Sequence, residues 1–72
     1  MNKEYKEIWY EVFISDEHGS ITIENFNTLK EAKSYRVQFI KENPDMRGKI
    51  WIDKWGSKEK YGQPEQLEHC SI

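Results

Sequence analysis

With 72 residues the chain is long enough for one domain only, and a domain of this size buries roughly 60% of the surface that its unfolded chain exposes. Its 11 basic and 13 acidic residues give a net charge of −2, which excludes a general electrostatic attraction to nucleic acid or to an anionic membrane. The only cysteine, Cys70, excludes an intrachain disulfide, which favours a reducing compartment. The sequence has no apolar stretch of the length that a signal peptide or a membrane span requires. We therefore expect a cytoplasmic protein.

Composition along the chain predicts one domain over residues 1–72. A charged lead-in occupies residues 1–7, and the folded core extends over residues 8–57. The polar tail, residues 58–72, is predicted to be partly mobile, with one helical turn over residues 64–69.

Two strands joined by a tight turn are predicted at the start of the core. Over residues 8–15 one parity is mainly aliphatic and the other aromatic and acidic, and over residues 20–25 Ile21 and Ile23 recur at period two, as expected of strands. Between them, Asp16 suits the first position of a type I turn and Gly19 the last. Residues 8–25 are therefore predicted to form a β-hairpin.

Two registers are compatible with this hairpin. In the first, a four-residue connection pairs aliphatic partners: Val12 with Ile23, and Ile14 with Ile21. In the second, a three-residue loop with a bulge at Gly19 reverses the faces of the second strand. Hydrophobic grouping favours the first register, although it sets Glu11 opposite Glu24, and like charges at opposed positions destabilise a sheet.

A helix follows the hairpin and has clear signals at both ends. Thr28 and Glu31 have the spacing of a capping box, and Asn43 followed by Pro44 predicts the end of the helix. Its apolar residues form one broad stripe at helical spacing: Leu29, Ala32, Tyr35, Phe39 and Ile40. Arg36 falls inside this stripe, so we expect its stem to pack on the sheet while its guanidinium reaches water or a carboxylate at the rim.

A third strand, predicted over residues 49–55, completes the fold. The order β-β-α-β, with a right-handed crossover, places the first strand in the middle of a three-stranded sheet, antiparallel to the third. The predicted class is therefore α+β, with one helix packed on one face of the sheet and a polar C-terminal tail. We expect the helix to pack on the aliphatic face of the sheet: Val12, Ile14, Ile23, Ile50 and Ile52.

The opposite face of the first and third strands is aromatic and acidic. Strand alternation predicts that one set of residues forms an interaction surface on this face: Trp9, Phe13, Trp51, Asp53 and Trp55. Glu11 shares their face. Two alternatives stay open: the tail folds back over these rings, or the helix covers them and leaves the Ile/Val face exposed.

Because Trp and Tyr are enriched in interfaces, the favoured function is a small non-enzymatic interaction module. Such a module self-associates as a homo-oligomer, or binds or blocks a protein partner in an accessory or regulatory role. The alternative is a nucleotide or single-stranded nucleic-acid binder that stacks bases on the same rings. Glu11 and Asp53 weigh against this alternative, since such binders pair their rings with a cationic groove.

Other polar residues give weaker signals. Three cations are candidates for contact with an anion or a carboxylate: Arg36, Lys54 and Lys58. The grouping of Ser15, Asp16, His18 and Ser20 has the residue types of a catalytic site, but a hairpin tip lacks a cleft and an oxyanion site. The grouping of Glu65, Glu68, His69 and Cys70 lacks the ligand spacing of a structural zinc site. No catalytic residue, metal ligand or cofactor is therefore predicted.

Overall fold

The computed structural model describes residues 5–58 and 63–70. In chain order they form β1 (Glu7–Asp16), β2 (Gly19–Phe26), α1 (Leu29–Glu42), a short 3-10 helix (Pro44–Met46), β3 (Ile50–Ser57) and β4 (Glu65–Cys70). The four strands form one antiparallel sheet in the order β2-β1-β3-β4. The α+β class and the antiparallel pairing of β1 with β3 are confirmed. No helix in the described ranges is long and apolar enough to span a membrane.

The predicted three-stranded sheet is wrong because the tail supplies a fourth strand. The helical turn expected over residues 64–69 is replaced by β4, which pairs with the free edge of β3, Cys70 lying opposite Ile52 and His69 opposite Asp53. Glu, Gln and Leu favour a helix locally, but strand propensity depends on the neighbouring edge, which offers unpaired backbone groups. Residues 59–62 and 71–72 of the predicted tail lie outside the described part of the chain.

Gly56 explains how β4 closes against β3. The register shifts between Lys54 and Trp55, which leaves Leu67 as an extra residue on β4. A Cβ added to Gly56 would lie 2.9 Å from Leu67 Cδ1 and 3.0 Å from Tyr5 Cδ1. The missing side chain at Gly56 thus makes room for both residues.

The hairpin adopts the favoured register near its turn and leaves it further along. Ile14 pairs with Ile21 as predicted, but the register shifts between Val12 and Phe13, so that Val12 lies opposite Glu24. The predicted Val12–Ile23 pair is therefore wrong, and so is the Glu11–Glu24 opposition, because Asn25 now lies opposite Glu11. A bulge of this kind gives β2 one extra residue. It allows two residues three positions apart, Ile23 and Phe26, to pack on the same core.

The helix begins and ends where the sequence predicts. Thr28 caps it by accepting a hydrogen bond from the Glu31 backbone N–H (3.2 Å), and the Thr28 hydroxyl donates to Glu31 Oε1 (3.0 Å). At the other end, the Asn43 N–H donates to the Phe39 carbonyl. The N-cap at Thr28 and the stop before Pro44 are confirmed, but Glu31 reaches back to the Thr28 hydroxyl and not to the Thr28 backbone N–H of a full capping box.

The helix covers the aliphatic face of the sheet, as predicted. Four residues of this interface are completely buried: Val12, Ala32, Ile50 and Ile52. Partly buried residues pack around them: Tyr10, Ile23, Phe26, Leu29, Tyr35, Phe39, Ile40 and Cys70. Ile14 was also predicted for this core but is only partly buried and lies outside the cluster. Its partner Ile21 is 71% exposed, because this end of the hairpin projects beyond the helix.

Candidate functional site

The aromatic face is built from three cross-strand pairs between β1 and β3, at every second position of the two strands. Trp9 lies opposite Trp55, and Phe13 lies opposite Trp51. Between these two ring pairs, Glu11 lies opposite Asp53. Since directly opposed residues share a face and have neighbouring Cβ atoms, the register confirms the predicted adjacency of the four rings. We call the residues of these three pairs the open face.

No described helix or strand lies over the open face. Its four rings are partly buried, while Asp53 is only 8% exposed. The helix contacts the other side of the sheet, where the buried core lies. The alternative in which the helix covers the rings is therefore wrong. The alternative in which the tail folds back over them is wrong for β4, which extends the sheet sideways, but Pro64 just before β4 lines a cleft together with Trp9 and Trp55.

β4 adds a histidine beside the open face that the sequence analysis did not place there. His69 Nδ1 lies 2.6 Å from Asp53 Oδ1 and shares a hydrogen bond with it. The His69 ring centroid lies 5.8 Å from that of Trp51. Strand alternation in β4 places His69 on the same side as Asp53. This placement could have been predicted only if residues 65–70 had been recognised as a strand. Asp53 is thus satisfied by a neighbouring strand despite its burial.

Strand alternation also separates the residues that were weighed as metal ligands. Cys70 lies opposite Ile52 and packs on the core, whereas His69 lies beside Asp53. Within residues 5–58 and 63–70, no three His, Cys, Asp or Glu side chains are grouped so as to hold a metal ion. Burial raises the pKa of the Cys70 thiol above its usual value, and the charges of Glu68 and Asp53 raise it further. The thiol is therefore held in its protonated form, the less reactive one.

Glu11 is fixed in position by hydrogen bonds from two strands. Its Oε1 accepts a hydrogen bond of 2.7 Å from Trp55 Nε1 on β3, and its Oε2 accepts one from the Thr22 hydroxyl on β2. This carboxylate lines a shallow cleft of about 220 Å³. The cleft is lined by Trp9, Glu11, Thr22, Asn25, Trp55 and Pro64. The β2 bulge contributes directly, because Thr22 and Asn25, three positions apart, line the same cleft.

The open face has a one-sided charge. Lys54 is the only Lys or Arg within the four strands, and it lies between Asp53 and Trp55 in sequence, which places it on the opposite face. By the same alternation, the strand residues of the open side include Glu7, Glu11 and Asp53, with His69 beside them. Acidic side chains therefore dominate the strands on this side of the sheet.

Arg36, predicted for the rim, lies partly buried between the helix and the sheet. Its Nε donates a hydrogen bond of 3.0 Å to the carbonyl oxygen of Ile50. The expected acceptor was water or a carboxylate, so the packing of the stem is confirmed but the acceptor of Nε is different. A backbone carbonyl at the start of β3 takes this role because Arg36 faces the strand from inside the apolar stripe.

The other two residues predicted to contact an anion, Lys54 and Lys58, each lie near an acidic residue of the same chain. Lys54 lies opposite Glu68 in the β3–β4 pairing. Lys58 Nζ lies 4.0 Å from a Glu65 carboxylate oxygen and 5.9 Å from the centroid of the Tyr5 ring. The structure does not bring Arg36, Lys54 and Lys58 together into one anion site.

The hairpin tip holds its polar residues in turn contacts. The His18 backbone N–H donates to Asp16 Oδ1 (2.8 Å), and His18 Nε2 lies 3.6 Å from a Glu17 carboxylate oxygen. The side chains of His18 and Glu17 are 83% and 85% exposed. The His18 side chain is therefore largely exposed to solvent and is not held in the orientation that a catalytic base needs.

Comparison with protein-family models, with curated proteins and with solved structures gives no match. The function therefore has to be argued from the geometry of the open face.

Proposed function

We propose that this protein is a small non-enzymatic interaction module that uses the open face to bind a protein partner or a second copy of itself. One observation carries the proposal: all three tryptophans, Trp9, Trp51 and Trp55, occupy the side of the sheet that the helix leaves free. The opposite side already supplies a buried core under the helix. We therefore assign the rings to contacts with another molecule.

The chemistry of the rings suits an interface. Each aromatic side chain can bury roughly 150–250 Å² on contact, and hot spots of binding are enriched in Trp and Tyr. The Trp55 ring is held by its hydrogen bond to Glu11, so less side-chain freedom is lost when a partner binds. An accessory or regulatory role in the cytoplasm, in which the module binds or blocks a larger protein, fits its small size.

Stacking of nucleic-acid bases on the same rings is the second candidate, and the charge of the open face disfavours it. Proteins that bind single strands combine stacking rings with a cationic groove along the backbone. Glu11 and Asp53 lie between the two ring pairs and would repel phosphate groups. The protein-interaction proposal is therefore preferred.

The test is a paired measurement of association and folding on the wild type and on the double variant Trp51→Ser/Trp55→Ser. Sedimentation over a range of concentrations, alone and with candidate partners, should show association that the double variant loses while it keeps its circular dichroism spectrum. Val37→Ser is the matched control, because Val37 is 57% exposed on the helix, away from the open face. This control should associate like the wild type.

Two results would contradict the proposal. In the first, the double variant unfolds and the wild type stays monomeric with its indoles shielded from solvent, which would make the rings part of a core. In the second, the wild type binds single-stranded oligonucleotides with a steep salt dependence that the double variant loses, since phosphate contacts weaken steeply with salt. That result would replace the proposal with the stacking function.

A further inference from the structure

We propose that the cleft between Trp9 and Trp55 receives a lysine or arginine side chain from a protein partner. The inference rests on the proposed function and adds the chemistry of the partner. Its basis is a carboxylate beside two indoles: Glu11 lines the cleft together with both rings, and its Oε1 accepts a hydrogen bond from Trp55 Nε1.

The walls of the cleft attract a cation. Trp9 and Trp55 come from directly paired positions of β1 and β3, so their indoles flank the same opening. Indole is the aromatic ring that attracts cations most strongly over its face, and arginine is the commonest cation in such contacts. The aliphatic stem of lysine or arginine would meanwhile contact the apolar edge of the cleft, including Pro64.

Glu11 supplies the counter-charge and keeps acceptor capacity free. An ionised carboxylate has about four lone-pair sites for hydrogen bonds. Trp55 Nε1 and the Thr22 hydroxyl use one site on each oxygen, and both are neutral donors that leave the negative charge in place. An ammonium or guanidinium group could donate to the remaining sites without displacing either bond. The carboxylate is thus positioned before the cation arrives.

The size of the cleft favours a side chain over a free small molecule. Its volume is about 220 Å³, and it opens onto the sheet surface. Pockets that bind small molecules usually enclose about 300–1,000 Å³ and cover most of the ligand. A shallow cleft of the observed volume fits one anchoring side chain, while the neighbouring Phe13–Trp51 pair offers further contact area to the same partner.

Charge complementarity also favours a different protein over a second copy. Face-to-face association of two copies would place Glu11 and Asp53 of one open face close to the same acidic residues of the other. Within the strands no Lys or Arg lies on this side, since Lys54 is on the opposite face; Lys49, just before β3, continues the alternation of the open side and offsets the acidic residues only in part. Like charges across an interface disfavour the pairing, whereas a basic partner would be attracted.

The test uses short capped peptides that differ only at a central residue: Lys, Arg, norleucine or Glu. Binding is followed by nuclear magnetic resonance through the three indole N–H signals of the wild-type protein. The Trp55 N–H donates to Glu11, so its signal reports directly on the carboxylate, while Trp51 lies outside the cleft and serves as an internal control. The Lys and Arg peptides should shift the Trp9 and Trp55 signals more than the Trp51 signal, and the norleucine and Glu peptides should shift none of them.

Charge at Glu11 is tested by Glu11→Gln, which keeps the shape of the side chain. This variant should bind the Lys and Arg peptides roughly five- to thirtyfold more weakly, the range expected for loss of a charge-assisted contact beside a cation–π contact. Glu42→Gln removes the same charge at the exposed end of the helix and should bind like the wild type. The norleucine comparison on the wild type needs no variant and so does not depend on whether Glu11→Gln folds.

The possible failures are distinguishable. If the norleucine and Lys peptides shift the cleft signals equally, the cation inference is overturned and the proposed interaction function stands. If butylammonium alone binds as tightly as the Lys peptide, the cleft is a site for small cations and not for a protein side chain. If no peptide shifts Trp9 or Trp55, the inference is overturned. If the sedimentation tests also show no association, the proposed function falls with it.

Discussion

The two faces of the sheet differ in burial, although the same strands form both. On the helix side, Val12, Ile50 and Ile52 are completely buried. Their chain neighbours Phe13 and Trp51 point to the other side and remain partly exposed. The larger, aromatic side chains are thus the ones that no described helix or strand covers. The small aliphatic face thus packs against the helix without the rings, and under the proposed function the aromatic face serves binding more than folding.

The sharpest test of this comparison substitutes neighbouring residues that point to opposite faces. Ile52→Ala should lower the free energy of unfolding by about 2–5 kcal/mol, because it leaves a cavity in a completely buried site. Trp51→Ala removes more atoms but should cost less, because Trp51 is only partly buried. Urea unfolding of both variants measures the two values. A larger loss for Trp51→Ala would mean that the open face is core.

Gly56→Ala should cost about 1–3 kcal/mol, as expected when a methyl group is forced into a packed site. The new Cβ would lie 2.9 Å from Leu67 Cδ1 and 3.0 Å from Tyr5 Cδ1. Adding Leu67→Ala should recover part of that loss, since the shortest contact disappears; a double-mutant cycle measures the coupling. Strictly additive losses would show that β4 does not close over Gly56 as described.

Thr28→Ala tests the helix that covers one face only. Loss of the N-cap should destabilise the protein by about 1 kcal/mol, because the Glu31 backbone N–H loses its acceptor. Ser34→Ala is the control, since Ser34 is an exposed residue in the middle of the same helix. Thermal unfolding should separate the two variants, and equal melting temperatures would count against the N-cap.

The smallest expected effect is on the alkylation rate of the Cys70 thiol, which lies at the edge of the face that the helix covers. Cys70 packs against the core, and burial raises its pKa. A higher pKa leaves less thiolate at a given pH, so alkylation by iodoacetamide at mildly alkaline pH should be slower in the folded protein than in urea. Equal rates after correction for the effect of urea on a free thiol would mean that β4 does not hold Cys70 against the core.

Much of this architecture could be predicted from local patterns. The N-cap at Thr28, the helix stripe and the two-faced alternation of β1 and β3 each depend on residues close together in sequence. β4 could not be predicted in this way. Its residues have helical propensity, and they form a strand only because the edge of β3 is there to pair with.

The same limit applied to the site. The ring pairs followed from alternation, so Trp9, Trp51 and Trp55 were predicted to share a face. The place of Asn25 opposite Glu11, and so its part in the cleft, depends on a bulge in β2, which the sequence does not mark with a glycine or a proline. Contacts that depend on an irregular register arise from tertiary packing, and periodicity does not reveal them.

The central claim, that the aromatic face is open, is tested most directly by quenching of tryptophan fluorescence. All three tryptophans lie on this face, so tryptophan emission, excited selectively to exclude the four tyrosines, reports on no other region. At concentrations where the protein is monomeric, acrylamide should quench the emission efficiently. Caesium should quench it more than iodide, because Glu11 and Asp53 make the face negative. Emission that is blue-shifted and resistant to all three quenchers in the monomer would show that the rings are buried, and would contradict the account.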